Sequence, residues 1–254
     1  MKKKKLLSTV IATSLALASH LYAGEKGTEI EIIPPANSWE FGISPYAWIS
    51  GIKGTSGLPG LPPASIDADF GDILDNLDFA GFLLLEANKG KFRSFLDFQY
   101  VKLGADASGP AGESLNIGVE QVRMELGMGY EIYSNDATSL TAYGAVMYNY
   151  IDNSLSGSAI AGGSYSATWV DPAIGLKLSH SFSDKWSVNL TGEYGGFGVS
   201  SDSSWQALGS IGYNINDKWA LLGGYRYQSI DYSKDGFIYD VDTSGPFLGA
   251  RYSF

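Results

Sequence analysis

Between residues 122 and 132 apolar side chains alternate with polar or glycine residues: Val122, Met124, Leu126, Met128, Tyr130 and Ile132 stand against Arg123, Glu125, Gly127 and Gly129. A helix cannot use this pattern, because its faces recur about every 3.6 residues, whereas a strand sends successive side chains to opposite faces. Leu115, Ile117 and Val119 carry the alternation upstream, displaced by a one-residue slip next to Gln121. The chain is therefore all-β. Period-two stretches place strands at about 38–52, 78–89, 91–104, 114–133, 139–152, 164–182, 185–198, 203–215, 218–232 and 237–254, ten in all, with eight or twelve also compatible because 114–133 and 164–182 are long enough to bend or split.

Alternation alone does not separate a half-buried soluble sheet from a membrane barrel strand, in which the apolar face meets lipid and the polar face the lumen. Aromatic placement does. Asn88-Lys89-Gly90-Lys91-Phe92, Ser183-Asp184-Lys185-Trp186 and Asn216-Asp217-Lys218-Trp219 each put a ring directly after a tight turn. Rings repeated at one height are what an interfacial girdle requires. The last segment, Phe247-Leu248-Gly249-Ala250-Arg251-Tyr252-Ser253-Phe254, closes an amphipathic strand on an aromatic residue. It resembles the carboxy-terminal strand by which barrel-assembly machinery recognises outer-membrane proteins. Tight turns near 90, 136, 184 and 217 alternate with longer connections near 53–77, 105–113, 153–163, 199–202 and 233–236, the asymmetry of short periplasmic turns and longer outer loops.

The first residues read as a secretory signal, with Lys2 to Lys5, an apolar stretch Leu6 to Leu17 and Leu21-Tyr22-Ala23, so that cleavage is expected after Ala23. Residues 24–37 are then a periplasmic N-terminal segment and 38–254 the barrel. The sequence has no cysteine, which excludes thiol catalysis, thiolate metal sites and a disulfide framework. Of its 17 Lys and Arg four lie in the signal, while all 27 Asp and Glu follow it. That acidity makes nucleic acid an unsuitable partner and suits loops lying among lipopolysaccharide phosphates bridged by divalent cations.

With apolar positions facing lipid, Glu86, Arg93, Asp97, Gln99, Arg123, Glu125, Lys177, Glu193, Arg226, Gln228 and Arg251 face the lumen. A ten-stranded barrel is only slightly wider than one that side chains fill. Two readings stay open: a lumen closed by paired charges, or a narrow pore for a small polar solute whose selectivity those charges set. A second group, Asp171, Asp202, Tyr225, Asp231, Tyr232 and Asp240, falls near the outer ends of strands. It is the candidate rim for binding a sugar or cation, although inward polar groups at a barrel mouth also satisfy one another.

Catalysis by a histidine pair is disfavoured. After the signal only His180 remains; it is in register with Leu176 and Leu178, toward lipid, and next to the Asp184-Lys185 turn. His180-Ser181 is thus a poor esterase or lipid deacylase, and a protease of the omptin kind would need its histidine in the lumen. The first loop carries Asp67, Asp69, Asp72, Asp75 and Asp78 around Ile73, Leu74 and Leu77, which fits a short helix with an apolar edge that caps or plugs the barrel. The spacing is wrong for a calcium loop and no Glu closes it. Neither a metal nor a cofactor is expected.

Pro45-Tyr46-Ala47-Trp48, Asp69-Phe70-Gly71-Asp72-Ile73-Leu74 with Leu77-Asp78-Phe79, Glu86-Ala87, Trp169-Val170-Asp171-Pro172, Gly195-Gly196-Phe197-Gly198, Gly224-Tyr225-Arg226-Tyr227, Asp231-Tyr232 and the terminal strand are similar to those of a group of largely uncharacterised, porin-like proteobacterial outer-membrane barrels. The resemblance implies a barrel in the outer membrane and supplies no activity. The expected function is a monomeric envelope protein, structural or a narrow passage. The alternatives are a hydrolase acting on lipid or peptide through rim carboxylates such as Asp171, Asp202 and Asp240, and a surface binding protein working through the acidic first loop.

Overall fold

The structure, a computed structural model, describes residues 38–108, 114–158 and 163–254. The predicted signal and the segment 24–37 lie outside them. In chain order the strands are β1 (Trp39–Trp48), β2 (Gly51–Gly57), β3 (Ala64–Ala68), β4 (Leu77–Lys89), β5 (Phe92–Ser108), β6 (Ser114–Ser134), β7 (Thr138–Gly157), β8 (Gly163–Ser181), β9 (Trp186–Gly195), β10 (Ser203–Asn214), β11 (Trp219–Lys234) and β12 (Phe237–Ser253), with one helix, α1 (Phe70–Asp75), between β3 and β4.

Every pairing is antiparallel, and β1 pairs with both β4 and β12, so the sheet closes on itself. The closure reaches the last residue: Phe254 N–H donates to Phe41 O and accepts in return from Phe41 N–H, both at 3.0 Å. Ten strands form the wall, as the alternation predicts. β2 continues β1 along β12, the two registers running from Trp48↔Phe247 to Gly51↔Ser244. β3 pairs only with β2 and runs in the direction of β4, with α1 interrupting the descent between them. Gly54 makes the β2–β12 approach feasible: its φ is +142°, and a Cβ there would fall on the Asp240 carbonyl.

One end of the barrel carries the tight turns and the C-terminus; the other carries the longer connections. These are called the turn end and the loop end. At the loop end Asp235 and Gly236, both with positive φ (53° and 84°), make the two-residue β11–β12 hairpin that the Asp-Gly pair demands.

In the turn half the wall is apolar outside. Leu126, Met128, Ile174, Leu176, Leu190, Ile211, Leu221 and Leu248 all point outward and are more than one-third exposed. A ring of aromatic contacts marks its lower margin: Trp39–Phe92, Trp186–Tyr213, Trp219–Tyr252 and Phe41–Phe254. These include all three rings that follow predicted turns. A second ring holds Phe79–Tyr100 and Trp205–Tyr227. Trp219 and Tyr227 are eight residues apart, roughly 26 Å along the strand and about 20 Å along the axis of a tilted barrel, close to the height of a lipid-facing band.

Above the second ring the logic inverts. Lys102, Glu120, Asp152, Asp231, Asp240 and Asp242 occupy outward positions, while Ile151, Ala167, Trp169, Ile230, Tyr232, Phe237, Tyr239 and Val241 are buried inside as one cluster. This explains the slip in β6. The β5–β6 register is unbroken from Phe92↔Tyr130 to Ser108↔Ser114, so no bulge separates Val119 from Val122. The backbone keeps its parity and the apolar face changes sides.

Candidate functional site

Among the described residues the lumen holds the densest polar chemistry. Because parity is kept along the strands away from the irregularities at Leu77/Phe79 and Glu131/Tyr133, Glu86, Arg93, Asp97, Gln99, Arg123, Glu125, Lys177, Glu193, Arg226, Gln228 and Arg251 all take inward positions. They sort into two levels.

At mid-height Arg226, 4% exposed, is the hub. Its Nη1 donates to Asp97 Oδ2 (2.7 Å) and to Tyr46 Oη (3.1 Å); its Nε and Nη2 donate to Gln206 Oε1 (3.2 and 2.8 Å). With the Gln228 amide carbonyl turned toward the guanidinium, its Oε1 accepts from Nε (3.0 Å), Nη2 (2.7 Å) and Gln99 Nε2 (3.3 Å). Asp97 is also held by Tyr46 Oη (2.7 Å) and Gln99 Nε2 (3.2 Å). The Gln206 amide bridges onward to Glu125 Oε2 (3.0 Å) and Glu193 Oε1 (2.9 Å), and Arg123 Nη2 reaches Glu125 Oε2 at 3.3 Å. The guanidinium also lies 5.4 Å from the Trp48 ring centroid. A network spanning β1, β5, β6, β9, β10 and β11 thus crosses the full width of the barrel.

Toward the turn end Glu86 sits between two cations, with Lys177 Nζ 3.3 Å from Oε1 and Arg251 Nε 3.3 Å from Oε2, while Arg93 Nη2 pairs with Glu131 Oε2 at 2.6 Å. Between the two levels is a cavity of about 170 Å³ lined by Ser44, Glu86, Lys177, Arg226, Arg251 and neighbouring apolar side chains. Phe95 and Tyr143 wall it at one side, and Tyr143 lies over Gly175, where a Cβ would meet the ring.

Above the network the apolar cluster fills the lumen. Trp169 stacks on Tyr232 with centroids 4.1 Å apart and planes 9° from parallel, and Phe237, at 1% exposure, packs under Tyr165. Ile52, Leu58 and Ile66 of the β2–β3 hairpin cover the cluster from the side.

The proposed rim is corrected by this arrangement. Its six residues do not converge. Asp171 is inside and inaccessible, its carboxylate accepting from Ser200 N (3.2 Å), Ser201 N (2.9 Å) and Ser201 Oγ (2.6 Å), so it pins the 196–202 turn against the lumen. Tyr232 is also inside, in the aromatic stack. Tyr225 is outward and 54% exposed, with its hydroxyl on Ser244 Oγ at 3.3 Å. Asp231 and Asp240 face each other on the outer surface beside Asp202; burial, then Asp240, then Asp202 raise the Asp231 carboxyl above its usual range.

His180 is on β8 opposite Thr138, outward at the turn end, its Nδ1 2.8 Å from Thr138 Oγ1. It faces away from the lumen in which the carboxylates named above stand. In the first loop the predicted helix is present as α1, with a capping box in which Asp72 N–H donates to Asp69 Oδ1 (3.0 Å) and Asp69 N–H to Asp72 Oδ2 (3.2 Å). Two of the loop's acids therefore serve the helix terminus.

Tyr46, Trp48, Gln206 and Tyr143 belong to the lumen and were not among the predicted residues. Gln206 was accessible to parity, since Trp205, Ala207, Gly209 and Ile211 mark the other face; Tyr46 and Trp48 alternate with only Pro45 and Ala47, too weak a contrast to orient the strand.

No protein-family model matches the chain, and no curated protein matches it. Among solved structures it is similar to the outer membrane protease OmpT of Escherichia coli at 11% identity, over 87% of this chain and 98% of that one, with a TM-score of 0.57. The attachment invasion locus protein Ail of Yersinia pestis aligns at 15% identity over 85% of this chain and 98% of that one, with a TM-score of 0.36. The likeness to OmpT is one of fold: a closed antiparallel barrel.

Proposed function

We propose that the protein is an outer-membrane β-barrel with a closed lumen, serving the bacterial envelope as a structural and surface-presenting element and not as a diffusion pore. The observation that carries this is the double seal across the lumen: the Arg226 network at mid-height and the Trp169–Tyr232 cluster above it, whose members, the half-buried Tyr46 apart, are each less than one-tenth exposed. An open pore needs a water-filled constriction lined by solvated charge. Here the charges are spent largely on one another, Arg123 Nε and Nη1 and Glu193 Oε2 being the buried charged atoms of the network with no hydrogen-bond partner among the described residues.

The outer-membrane location rests on the apolar outer wall of the turn half between two aromatic rings, together with the secretory reading of the first 23 residues. In this placement the turn end is periplasmic and the loop end faces outward. Outer-membrane lipid meets the wall, lipopolysaccharide phosphates lie at the height of the outward carboxylates, and assembly proceeds through the strand that ends at Phe254. The chain is a monomer and no enzyme activity is assigned. A hydrolase is unsupported because Asp171 is sealed inside while Asp202 and Asp240 are outside.

The test is single-channel recording of the refolded mature chain in a planar bilayer. Wild type is expected to be silent, and a variant carrying Trp169→Ala, Tyr232→Ala, Arg123→Ala and Arg226→Ala to conduct. Steady conductance steps from well-folded wild type would overturn the closed-lumen reading.

A further inference from the structure

At the loop end the wall is incomplete. β9 stops at Gly195, opposite Ala173, and β10 starts at Ser203, opposite Asp231. β8 and β11 both rise beyond these points. On the side where β9 would continue, Gly196 N–H takes the Pro172 carbonyl and Ser200 Oγ the Val170 carbonyl, after which the edge of Gly163–Trp169 has no sheet partner among the described residues. Two strands are thus missing between β8 and β11, with the 196–202 turn as the floor of the gap. The core behind it stays sealed, because the Trp169–Tyr232 and Tyr165–Phe237 ring pairs close the inner side.

Proteins blunt free edges by keeping them short, charged or proline-bearing. β3, another unpaired edge, shows all three devices: it is five residues long, follows Pro62-Pro63 and carries the Lys53–Asp67 pair at 3.1 Å. The β8 edge shows none. Gly163-Ser164-Tyr165-Ser166-Ala167-Thr168-Trp169 has neither charge nor proline, and Ser164, Ser166 and Thr168 are exposed. The surroundings are acidic: Asp202, Asp231, Asp235 and Asp240 lie at this end, with Lys234 at the tip of β11 and Lys53 opposite Asp242 in the β2–β12 pairing.

We propose that this β8 edge is a docking strip for an extended basic segment of another protein, which adds as a further strand, its backbone pairing with Gly163–Trp169 and its Lys or Arg side chains meeting the four flanking carboxylates. Strand addition draws affinity from main-chain hydrogen bonds and selectivity from the flanks. Asp231, its carboxyl raised first by burial and then by Asp240 and Asp202, stands among like charges. The same acidity disfavours a second copy of this chain, which would bring matching negative flanks together.

The test uses the full mature chain folded in detergent micelles and a fluorescein-labelled heptapeptide of alternating Lys and Val, read by anisotropy. Controls are the peptide with alternate backbone nitrogens methylated, a Glu-for-Lys peptide, and the barrel variant Ser166→Lys/Thr168→Lys. The two substituted positions are exposed and outward, and a heat-dependent gel shift verifies the folded barrel. Expected are saturable binding to wild type and at least a tenfold loss with each control. The proposal is overturned by absence of binding to folded wild type, or by equal binding of the N-methylated peptide, which would reduce the effect to charge attraction. It is overturned equally by a wild-type dimer that Ser166→Lys/Thr168→Lys abolishes, which would make the edge a contact between copies. None of these results depends on whether the lumen conducts.

Discussion

Replacing Arg226 by Met tests the mid-height network most directly. The substitution removes a guanidinium whose side chain is 5% exposed and leaves Asp97, 9% exposed, with a charge in a closed lumen. Breaking one partner of a buried ion pair costs about 3–5 kcal/mol. Asp97 keeps the Tyr46 and Gln99 donors, which sets the loss from that carboxylate near the lower end of the range. The Gln206 and Gln228 carbonyls lose their donors as well, adding about 1 kcal/mol. The expected destabilisation is about 4 kcal/mol, roughly a thousandfold in the folded-to-unfolded ratio. Replacing both charges, Asp97→Leu with Arg226→Met, removes the uncompensated carboxylate, so the double variant should recover at least about 2 kcal/mol over the sum of the single variants. The assay is guanidinium unfolding from phospholipid vesicles followed by tryptophan fluorescence, with the folded band on gels as a second probe. A single-variant loss under about 1 kcal/mol, or strict additivity, would refute the view that Arg226 and Asp97 act as one buried unit.

Asp171→Ala leaves the Ser200 and Ser201 amides and the Ser201 hydroxyl without their acceptor; a loss of about 3 kcal/mol is expected, with hydrogen exchange at residues 196–202 faster by at least a hundredfold, and unchanged exchange would show that Asp171 does not hold the turn. Gly175→Val drives a side chain into the Tyr143 ring and should cost about 1–3 kcal/mol, whereas Gly192→Val, where a Cβ meets nothing within 4 Å, should be neutral in the same unfolding experiment. Asp231 has a raised carboxyl, so the folded state holds its proton more tightly than the unfolded chain and stability falls as pH rises from the ordinary Asp value of 3.8 through the raised one. Asp231→Asn should therefore give a small rise in the gel-shift melting temperature at pH 7 and none at pH 3; an equal rise at both would show the effect is not electrostatic.

The strand plan was legible because both of its determinants are local. Period two gives the strands, and Gly90, Ser183-Asp184 and Asn216-Asp217 give the turns that fix register between neighbours. Parity then assigns inward side chains one by one, which is why Arg123, Glu125 and Arg226 could be placed without knowing what they touch. Their partners could not be read. Arg226 meets Asp97 across 129 residues of sequence and Tyr46 across 180, and such meetings depend on closure and shear, properties of the whole ring. The rim failed for a different reason: its members were grouped by height along the strand, and height is blind to which face a residue takes. Tyr225 and Asp231 share odd parity on β11 and point out; Tyr232 is even and points in. Asp171 shares parity with Ala173 and Gly175, which already put it in the lumen.

The slip in β6 carries more than a register detail. Below it the wall is organised for lipid outside and polar side chains within; above it the strands that continue enclose an apolar core under a polar surface, the arrangement of a soluble barrel. A wall in lipid cannot leave backbone groups unpaired, so closure below Val122 must be complete, and there every strand is bonded on both edges through β1's pairing with β4 and β12. Above the slip water satisfies an open edge, and the condition on the wall becomes only that apolar side chains stay covered. Trp169 and Tyr232 meet that condition by reaching across the place where β9 and β10 stop. The aromatic stack that seals the lumen is thus what permits the β8 edge to stand open, and loss of the stack by Trp169→Ala should weaken peptide capture at that edge at the same time as it loosens the seal.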